Sequence, residues 1–225
     1  FKADKGETVA FIGSTGSGKS TIVNLLLRSY DVTDGKVLVD GVDVRDYTQE
    51  ALHRKMGYVP QKATLFSGTV FSNVAYGDMS SERTEADVRT AVSIAQGAEF
   101  VEAMDGGYNA SIAQGGTNVS GGQKQRLSIA RAVCRRPEIY IFDDSFSALD
   151  YRTDRCLRSA LKRETADVTS VIVAQRVGTI MDADKIVVLD SGSVAGIGKH
   201  SELLDTCPVY REIVESQLTE EDMRR

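Results

Sequence analysis

The chain has 225 residues, with 27 Lys and Arg against 32 Asp and Glu, which gives a net charge of −5. Hydrophobic residues make up 41% and charged residues 26%, a composition that excludes a disordered or collagen-like chain. The acidic balance argues against an extended basic surface, so we expect no nucleic-acid partner. No apolar stretch approaches the roughly 18 to 20 residues that a membrane-spanning helix needs. Because the chain begins with Phe1 and shows no signal peptide, we expect it to be part of a longer protein.

Short apolar runs predict the strands of a largely parallel sheet. Their hydrophobicity is continuous rather than alternating, which is typical of strands covered on both faces. The runs are Val9 to Ile12, Val37 to Val39, Ile139 to Phe142, Val171 to Ala174 and Ile186 to Leu189. Asp40-Gly41 predicts a hairpin turn after the second run.

Helical patterns lie between these runs. They comprise Thr21 to Tyr30, the residues Val88, Ala91, Val92 and Ala95, and a helix that includes Leu157, Ala160 and Leu161. The segment from Gly77 to Arg136 contains no convincing strand. We therefore predict one α/β domain over residues 1–225, with a core of residues 1–76 and 137–225 and an inserted helical subdomain at 77–136.

A glycine-rich loop, called the P-loop below, follows the first predicted strand. It consists of Gly13, Ser14, Thr15, Gly16, Ser17, Gly18, Lys19 and Ser20, with Thr21 next. The loop satisfies G-x-x-x-x-G-K-[ST] between a strand and a helix, so the core is predicted to be that of a P-loop NTPase. Backbone N–H groups and the helix dipole of such a loop bind phosphate. We expect Lys19 to reach the β- and γ-phosphates and Ser20 to ligate Mg²⁺.

Two adjacent aspartates follow the strand that ends at Phe142. A carboxylate at the carboxyl end of a core strand lies where an α/β sheet places its ligand groups. We expect Asp143 to hold Mg²⁺ through its water shell and Asp144 to face the attacking water.

A second helix start resembles an anion site. Asn118-Val119 leads into Ser120, Gly121, Gly122 and Gln123, and a helix with Leu127, Ala130 and Cys134 on one face follows. Ser120 is a good N-cap, and the glycines leave backbone N–H groups uncovered. Two anion sites indicate two ends of one nucleotide.

In combination these motifs resemble the nucleotide-binding domain of an ABC transporter. The P-loop, the signature Ser120 to Gln123 and the Asp143 strand stand in the family's order. So do Gln61, after Tyr58-Val59-Pro60, and Asp150, after Ser147-Ala148-Leu149. The stretch from Leu65 to Gly77, which includes Asn73, resembles the exporter branch of the family.

The resemblance implies ATP and Mg²⁺ as cofactors, ATPase activity coupled to transport, and a place at the cytoplasmic face of the membrane. It implies a transmembrane domain and an adenine-stacking aromatic residue on the amino-terminal side. It also implies a head-to-tail dimer in which the P-loop of one domain and the signature of the other enclose each nucleotide. Gln61 is then expected to ligate Mg²⁺ and to sense the γ-phosphate, and Asp150 to cross the dimer interface.

The sequence departs from the family at two positions near the attacking water. Asp144 stands where the family has Glu, and Gln175 stands where it has a His. Free Asp and Glu differ by only about 0.4 in pKa, so reach rather than basicity matters, and a misplacement of about 1 Å can cost roughly 10²-fold in rate. Gln cannot carry the positive charge of an imidazolium. The chain thus resembles the degenerate-site subunit of a heterodimeric exporter, with weak ATPase activity and a non-identical partner whose competent site its signature completes.

Two alternatives stay open on the sequence. One is a slow homodimeric ABC ATPase, and the other is a nucleotide-binding module that joins proteins without transport. A chromosome-maintenance ATPase is disfavoured because the chain has no room for a long coiled coil. A small GTPase is disfavoured because the guanine motif Asn-Lys-x-Asp is absent from the sequence.

Overall fold

The computed structural model of this chain describes residues 1–77 and 83–217. Residues 78–82 of the predicted helical subdomain and 218–225 of the predicted core lie outside the described residues. The strands are β1 Thr8–Gly13, β2 Leu38–Val39, β3 Val42–Asp43, β4 Met56–Val59, β5 Gly68–Thr69, β6 Ser111–Ile112, β7 Ile139–Asp143, β8 Thr169–Val173, β9 Lys185–Asp190 and β10 Ser193–Gly198. The α-helices are α1 Lys19–Leu26, α2 Gln49–Lys55, α3 Val70–Val74, α4 Glu85–Ile94, α5 Ala98–Ala103, α6 Gly121–Cys134, α7 Tyr151–Glu164, α8 Val177–Ile180, α9 His200–Thr206 and α10 Pro208–Gln217.

A six-stranded sheet forms the centre of the fold, in the order β10-β9-β1-β8-β7-β4. The strands from β9 to β4 in this order are parallel, and β10 joins the β9 edge antiparallel. This confirms the predicted α/β class with a largely parallel sheet. The carboxyl ends of β1, β7 and β8 meet at one edge because these strands are parallel neighbours, and this edge is where such sheets place ligand sites.

Helices cover both faces of the sheet, which explains the continuous hydrophobicity of its strands. Along β1, Val9 and Phe11 point into one hydrophobic core, which includes buried residues of α1 and α2. Ala10 and Ile12 point into the other core, which includes buried residues of α4, α6, α7 and α10. Each face therefore excludes water from the strand that leads into the P-loop.

The second predicted strand does not belong to the central sheet. Its residues Leu38 and Val39 pair with β3 in a separate antiparallel hairpin, and Leu38 is exposed. The predicted hairpin turn is confirmed, since Asp40 and Gly41 both adopt positive φ, at 52° and 78°. In the central sheet β7 lies between β8 and β4. The sequence did not predict β4 as a strand, because Gly57 interrupts its apolar run.

The first helix is shorter than predicted. It runs over Lys19–Leu26, while Arg28 has a positive φ of 52° and Tyr30 is exposed. The helices predicted around Val88 and Leu157 are confirmed as α4 and α7, with both residues fully buried. The segment expected to lack strands contains β6, which pairs with β5 and so ties this insertion to the stretch before α3.

None of the helices in the described ranges combines the length and the apolar character that crossing a membrane requires.

Candidate functional site

The P-loop turns tightly between β1 and α1. Gly13 permits the close packing of β1 on β9, because a Cβ atom there would lie 2.2 Å from the carbonyl oxygen of Leu189. Gly18 precedes the first turn of α1 with a φ of 103°, a conformation that side chains strongly disfavour. Lys19 folds back over the loop and donates hydrogen bonds to the carbonyl oxygens of Gly13 and Ser14, at 2.7 and 2.8 Å.

The amino end of α1 carries the remaining predicted phosphate ligands. Ser20 and Thr21 are exposed in its first turn, and Ser17 is buried beneath the loop. Burial lowers the pKa of Lys19, while the charges of Asp144 and Asp143 act in the opposite direction. Lys19 of the P-loop therefore interacts electrostatically with Asp143 at the end of β7 and with Asp144 after it, as expected from the parallel order of β1, β8 and β7.

Asp143 ends β7 in a half-buried position. Burial and the neighbouring charge of Asp144 raise the pKa of Asp143, against the opposing effects of a hydrogen bond from Tyr58 and the charge of Lys19. Tyr58 lies on β4, the strand paired with β7. A half-buried carboxylate of this kind favours a nearby cation, because the cation supplies the charge compensation that water no longer provides.

Asp144 is the more buried of the two aspartates, with 7% of its surface exposed. Its φ of 47° lies in the left-handed region, which Asp tolerates better than most residues. Its backbone N–H donates to the carbonyl oxygen of Val173 at the end of β8, at 2.8 Å. The turn after β7 is thereby fixed to the neighbouring strand, and the Asp144 carboxylate is aimed at the carboxyl edge of the sheet.

Two side-chain amides converge on the same carboxylate oxygen. Nε2 of Gln61 donates to Oδ2 of Asp144 at 2.9 Å, and Nε2 of Gln175 donates to the same oxygen at 3.0 Å. The sequence predicted Asp144 and Gln175 near the attacking water and Gln61 near Mg²⁺ and the γ-phosphate, but it did not predict this shared contact. The structure therefore joins Asp144, Gln175 and Gln61 in one hydrogen-bonded group.

Arg176, which follows Gln175, connects the hydrogen-bonded group around Asp144 to the loop before α7. Arg176 donates hydrogen bonds to the carbonyl oxygens of Ser147 and Leu149, at 3.0 and 3.4 Å. That loop ends at Asp150, which is exposed and caps α7 by accepting a hydrogen bond from the N–H of Thr153 at 2.9 Å. Hydrogen bonds from the side chain of Thr153 and then from its backbone N–H lower the pKa of Asp150.

The signature begins α6, as predicted. The Ser120 hydroxyl accepts from the N–H of Gln123 at 3.3 Å, and Oε1 of Gln123 accepts from the N–H of Ser120 at 2.9 Å. This capping box leaves Gly121 exposed at the helix start. Within the described residues, no hydrogen bond joins the signature or Asp150 to the P-loop or to the Asp144 group.

Two buried polar residues that sequence reasoning missed support the site from below. Gln125 of α6 donates to the carbonyl oxygen of Pro60, next to Gln61, at 3.1 Å. The Ser145 hydroxyl, which is fully buried, donates to the carbonyl oxygen of Val59 at 2.7 Å. Their only signal in the sequence is that each lies within two residues of a motif residue.

The donor set fits a magnesium ion held together with phosphate. A serine hydroxyl (Ser20), an amide oxygen (Gln61) and a carboxylate (Asp143) are oxygen ligands of the kind Mg²⁺ prefers. Nε2 of Gln61 donates to Asp144, and Oε1 is the Gln61 atom that would ligate Mg²⁺. No cluster of three or more His, Cys, Asp or Glu side chains suited to a metal occurs in the described part of the chain.

Comparison with known proteins agrees with the fold. The family model for ABC transporters matches residues 1–147. An uncharacterised ABC transporter ATP-binding protein of Mycobacterium tuberculosis is 49% identical over 216 residues, which are 96% of this chain and 37% of that protein. The ATP-dependent lipid A-core flippase of Francisella tularensis is 42% identical over 213 residues, 95% of this chain and 35% of the flippase.

A solved structure shows the same architecture. A bacterial Atm1-family ABC exporter with ATP bound matches this chain with a TM-score of 0.91 and 39% identity, over 96% of this chain and 38% of the exporter chain. The chain therefore belongs to the ABC transporter family. It spans only 37% of the length of the M. tuberculosis relative.

Proposed function

We propose that this chain is the ATP-binding domain of a heterodimeric ABC exporter and that its own site binds Mg-ATP firmly but hydrolyses it slowly. The observation that carries the proposal is the Asp144 carboxylate, whose Oδ2 atom already accepts from both Gln61 and Gln175. A carboxylate that is one methylene shorter than Glu reaches less far toward a water beyond the γ-phosphate, and a misplacement of about 1 Å can cost roughly 10²-fold in rate.

The residues of the site divide the work of binding. The P-loop N–H groups, Lys19 and the first turn of α1, with Ser20 and Thr21, hold the phosphates. Ser20, Gln61 and Asp143 hold Mg²⁺, which when bound neutralises the charge on the β- and γ-phosphates. Asp144 orients the attacking water and accepts its proton inefficiently. Gln175 donates a hydrogen bond toward the γ-phosphate without the positive charge of an imidazolium.

The signature acts in trans. The helix start at Ser120 to Gln123 offers backbone N–H groups to the nucleotide on the partner's P-loop. Asp150, exposed at the start of α7, crosses to the partner domain. The partner is a non-identical nucleotide-binding domain with a competent site, and a transmembrane domain places the pair at the cytoplasmic face of the membrane. Residues 77–136 form the helical subdomain between the two parts of the core.

The names of the relatives support export as the coupled process. One is a lipid A-core flippase, and one is an Atm1-family exporter. The transported substrate is set by membrane helices, so no substrate is assigned to this chain.

Photolabelling of the intact transporter tests this proposal. The transporter is purified with its natural partner, incubated with Mg²⁺ and an azido-ATP labelled on the α-phosphate, and irradiated after several turnovers. We expect the label on this chain to be mainly triphosphate and the label on the partner mainly diphosphate. Purification of an active assembly of two identical chains, or equal diphosphate fractions on two different subunits, would contradict the proposal.

A further inference from the structure

One side chain of helix α10 contacts the backbone around Gln175, although α10 lies outside the site. Oε1 of Gln217 accepts a hydrogen bond from the backbone N–H of Val177 at 2.9 Å. Nε2 of the same side chain donates to the backbone carbonyl oxygen of Gln175 at 2.8 Å. A single amide therefore pairs with the backbone on both sides of Arg176.

Gln217 is exposed, but the helix that carries it is packed against the core. It is the last residue of α10, and α10 is anchored by Tyr210 and Val214, both fully buried. The hydroxyl of Tyr210 lies 2.7 Å from Nδ1 of His200 in α9, which adds a polar attachment. The core thus anchors the helix from which the Gln217 side chain reaches the segment.

Other contacts also hold the segment that Gln217 contacts: Val177 is fully buried, Arg176 donates to the carbonyl oxygens of Ser147 and Leu149, and Arg158 donates to that of Gly178. Gln175 and Arg176 are exposed and lie between the end of β8 and the four-residue helix α8. No side chain caps α8. The Gln175 side chain points to Asp144, and its amide is one of the two donors to Oδ2. A shift of the Gln175 backbone would therefore move a donor away from the carboxylate that faces the attacking water.

From these contacts we infer that Gln217 is a positioning residue that holds Gln175 against Asp144. The inference rests on the proposed function, in which Gln175 meets the γ-phosphate. Gln217 acts through the backbone of residues 175–177 and touches neither nucleotide nor Mg²⁺. The side-chain amide serves this role because it offers one donor and one acceptor in a plane, which matches a backbone C=O and a backbone N–H two residues apart.

A structure of the variant transporter tests the positioning directly. In Gln217→Ala, determined by cryo-electron microscopy with Mg-ATP, we expect the Gln175 amide to leave hydrogen-bonding distance of Asp144. The control is Glu215→Ala, an exposed position on the same helix, where the Gln175–Asp144 contact should remain. If Gln175 stays on Asp144 in the Gln217→Ala structure, the inference is wrong, whatever the hydrolysis rate of the site.

Nucleotide discrimination gives a second, functional readout. The affinities for Mg-ATP and Mg-ADP are measured on this chain by photolabel competition. We expect Gln217→Ala to weaken ATP binding by about three- to tenfold, the loss of one hydrogen bond, with ADP binding unchanged. In a Gln175→Ala background the same substitution should have no further effect. Equal losses for ATP and ADP would indicate a purely structural role and would overturn the inference.

A conservative variant separates positioning from simple capping of α8. Gln217→Glu keeps an acceptor for the Val177 N–H but loses the donor to the Gln175 carbonyl oxygen. We expect it to behave like Gln217→Ala, and wild-type behaviour would overturn the inference. If Gln175→Ala itself leaves the preference for ATP over ADP unchanged, the proposed γ-phosphate contact fails, while the structural comparison still decides the role of Gln217.

Discussion

Gln175 and Asp144 lie 31 positions apart in the chain, and Nε2 of Gln175 donates to Oδ2 of Asp144 at 3.0 Å. The contact follows from the register of the sheet, in which Asp143 at the end of β7 is paired with Val173 at the end of β8. Two parallel neighbouring strands that end together bring the residues after them together. The two positions at which the sequence is expected to depart from the family are therefore hydrogen-bonded neighbours in the structure.

Replacing Asp144 and Gln175 by the residues expected for the family should raise the rate of ATP hydrolysis at this site. We predict that Asp144→Glu combined with Gln175→His increases single-turnover cleavage of ATP bound to this chain by about 10- to 100-fold, because the carboxylate gains reach and an imidazole can carry charge. The measurement is quench-flow analysis of the intact transporter, with the partner's catalytic carboxylate neutralised so that only this site reports.

The single substitutions serve as controls for this prediction. Each alone should give a smaller gain than the pair, because the two side chains share a hydrogen bond and are not independent. A double variant as slow as the unmodified chain would mean that something other than these two positions limits the reaction.

Lys19 should be required for nucleotide binding. We predict that Lys19→Ala weakens Mg-ATP binding to this chain by about 10- to 100-fold, since one charge-assisted hydrogen bond contributes about 1.5–3 kcal/mol. Photolabel competition provides the affinity. The matched control is Lys36→Ala, an exposed lysine outside the P-loop, which should bind ATP normally. If Lys19→Ala binds Mg-ATP as tightly as the unmodified chain, the P-loop is not the phosphate site proposed here.

Asn73 should matter for stability. It is 2% exposed, and its side chain accepts from the N–H of Phe66 and donates to the carbonyl oxygens of Phe66 and Thr69. Asn73→Ala removes the side-chain partner of the Phe66 N–H and carbonyl groups, while the Thr69 carbonyl oxygen keeps the Ser72 hydroxyl as a donor. We therefore predict a loss of about 2–4 kcal/mol in the free energy of unfolding. Urea denaturation measures it, with exposed Asn109→Ala expected to change stability little. A neutral Asn73→Ala would show that water replaces the lost bonds.

Asp143 should strengthen the binding of Mg-ATP but lower the stability of the folded protein when no nucleotide is bound. Its pKa is raised, so its ionised form is disfavoured in the folded state, and the protein is most stable below that pKa and loses stability as the pH rises through it. Asp143→Asn should therefore be more stable than the unmodified protein at pH 7 and yet lose Mg²⁺-dependent nucleotide binding. The stability difference should vanish on acidification, as Asp143 becomes neutral in the unmodified protein. Thermal unfolding as a function of pH measures both effects, and a variant less stable at pH 7 would contradict the assignment.

The sequence predicted the parts of the site that depend on local pattern. The P-loop was recognisable because its glycines, Lys19 and Ser20 are consecutive, and Asp143 because it ends an apolar run. The convergence of Gln61 and Gln175 on one oxygen of Asp144 was not, since it depends on strand order and register. Gln217 had no signal at all, because a single glutamine 42 residues from its partner Gln175 forms no pattern in the sequence.

The boundaries of elements were predicted less well for similar reasons. The apolar residues after Lys19 continue past the point where α1 ends, and only the positive φ of Arg28 marks the change of direction. The apolar residues Leu38 and Val39 resemble a core strand, yet they form a surface hairpin because the Asp40-Gly41 turn returns the chain at once. Tertiary packing determines where α1 ends and where the hairpin lies, and local hydrophobicity does not predict that packing.

The most direct test of the slow site is the steady-state ATPase rate of the intact transporter that carries Asp144→Asn. If this carboxylate contributes little to turnover, the rate should stay within about twofold of the unmodified transporter, while neutralising the partner's carboxylate should lower it by about 10²-fold or more. A collapse of turnover in Asp144→Asn comparable to that of the partner variant would contradict the account, because it would make this site as competent as the other.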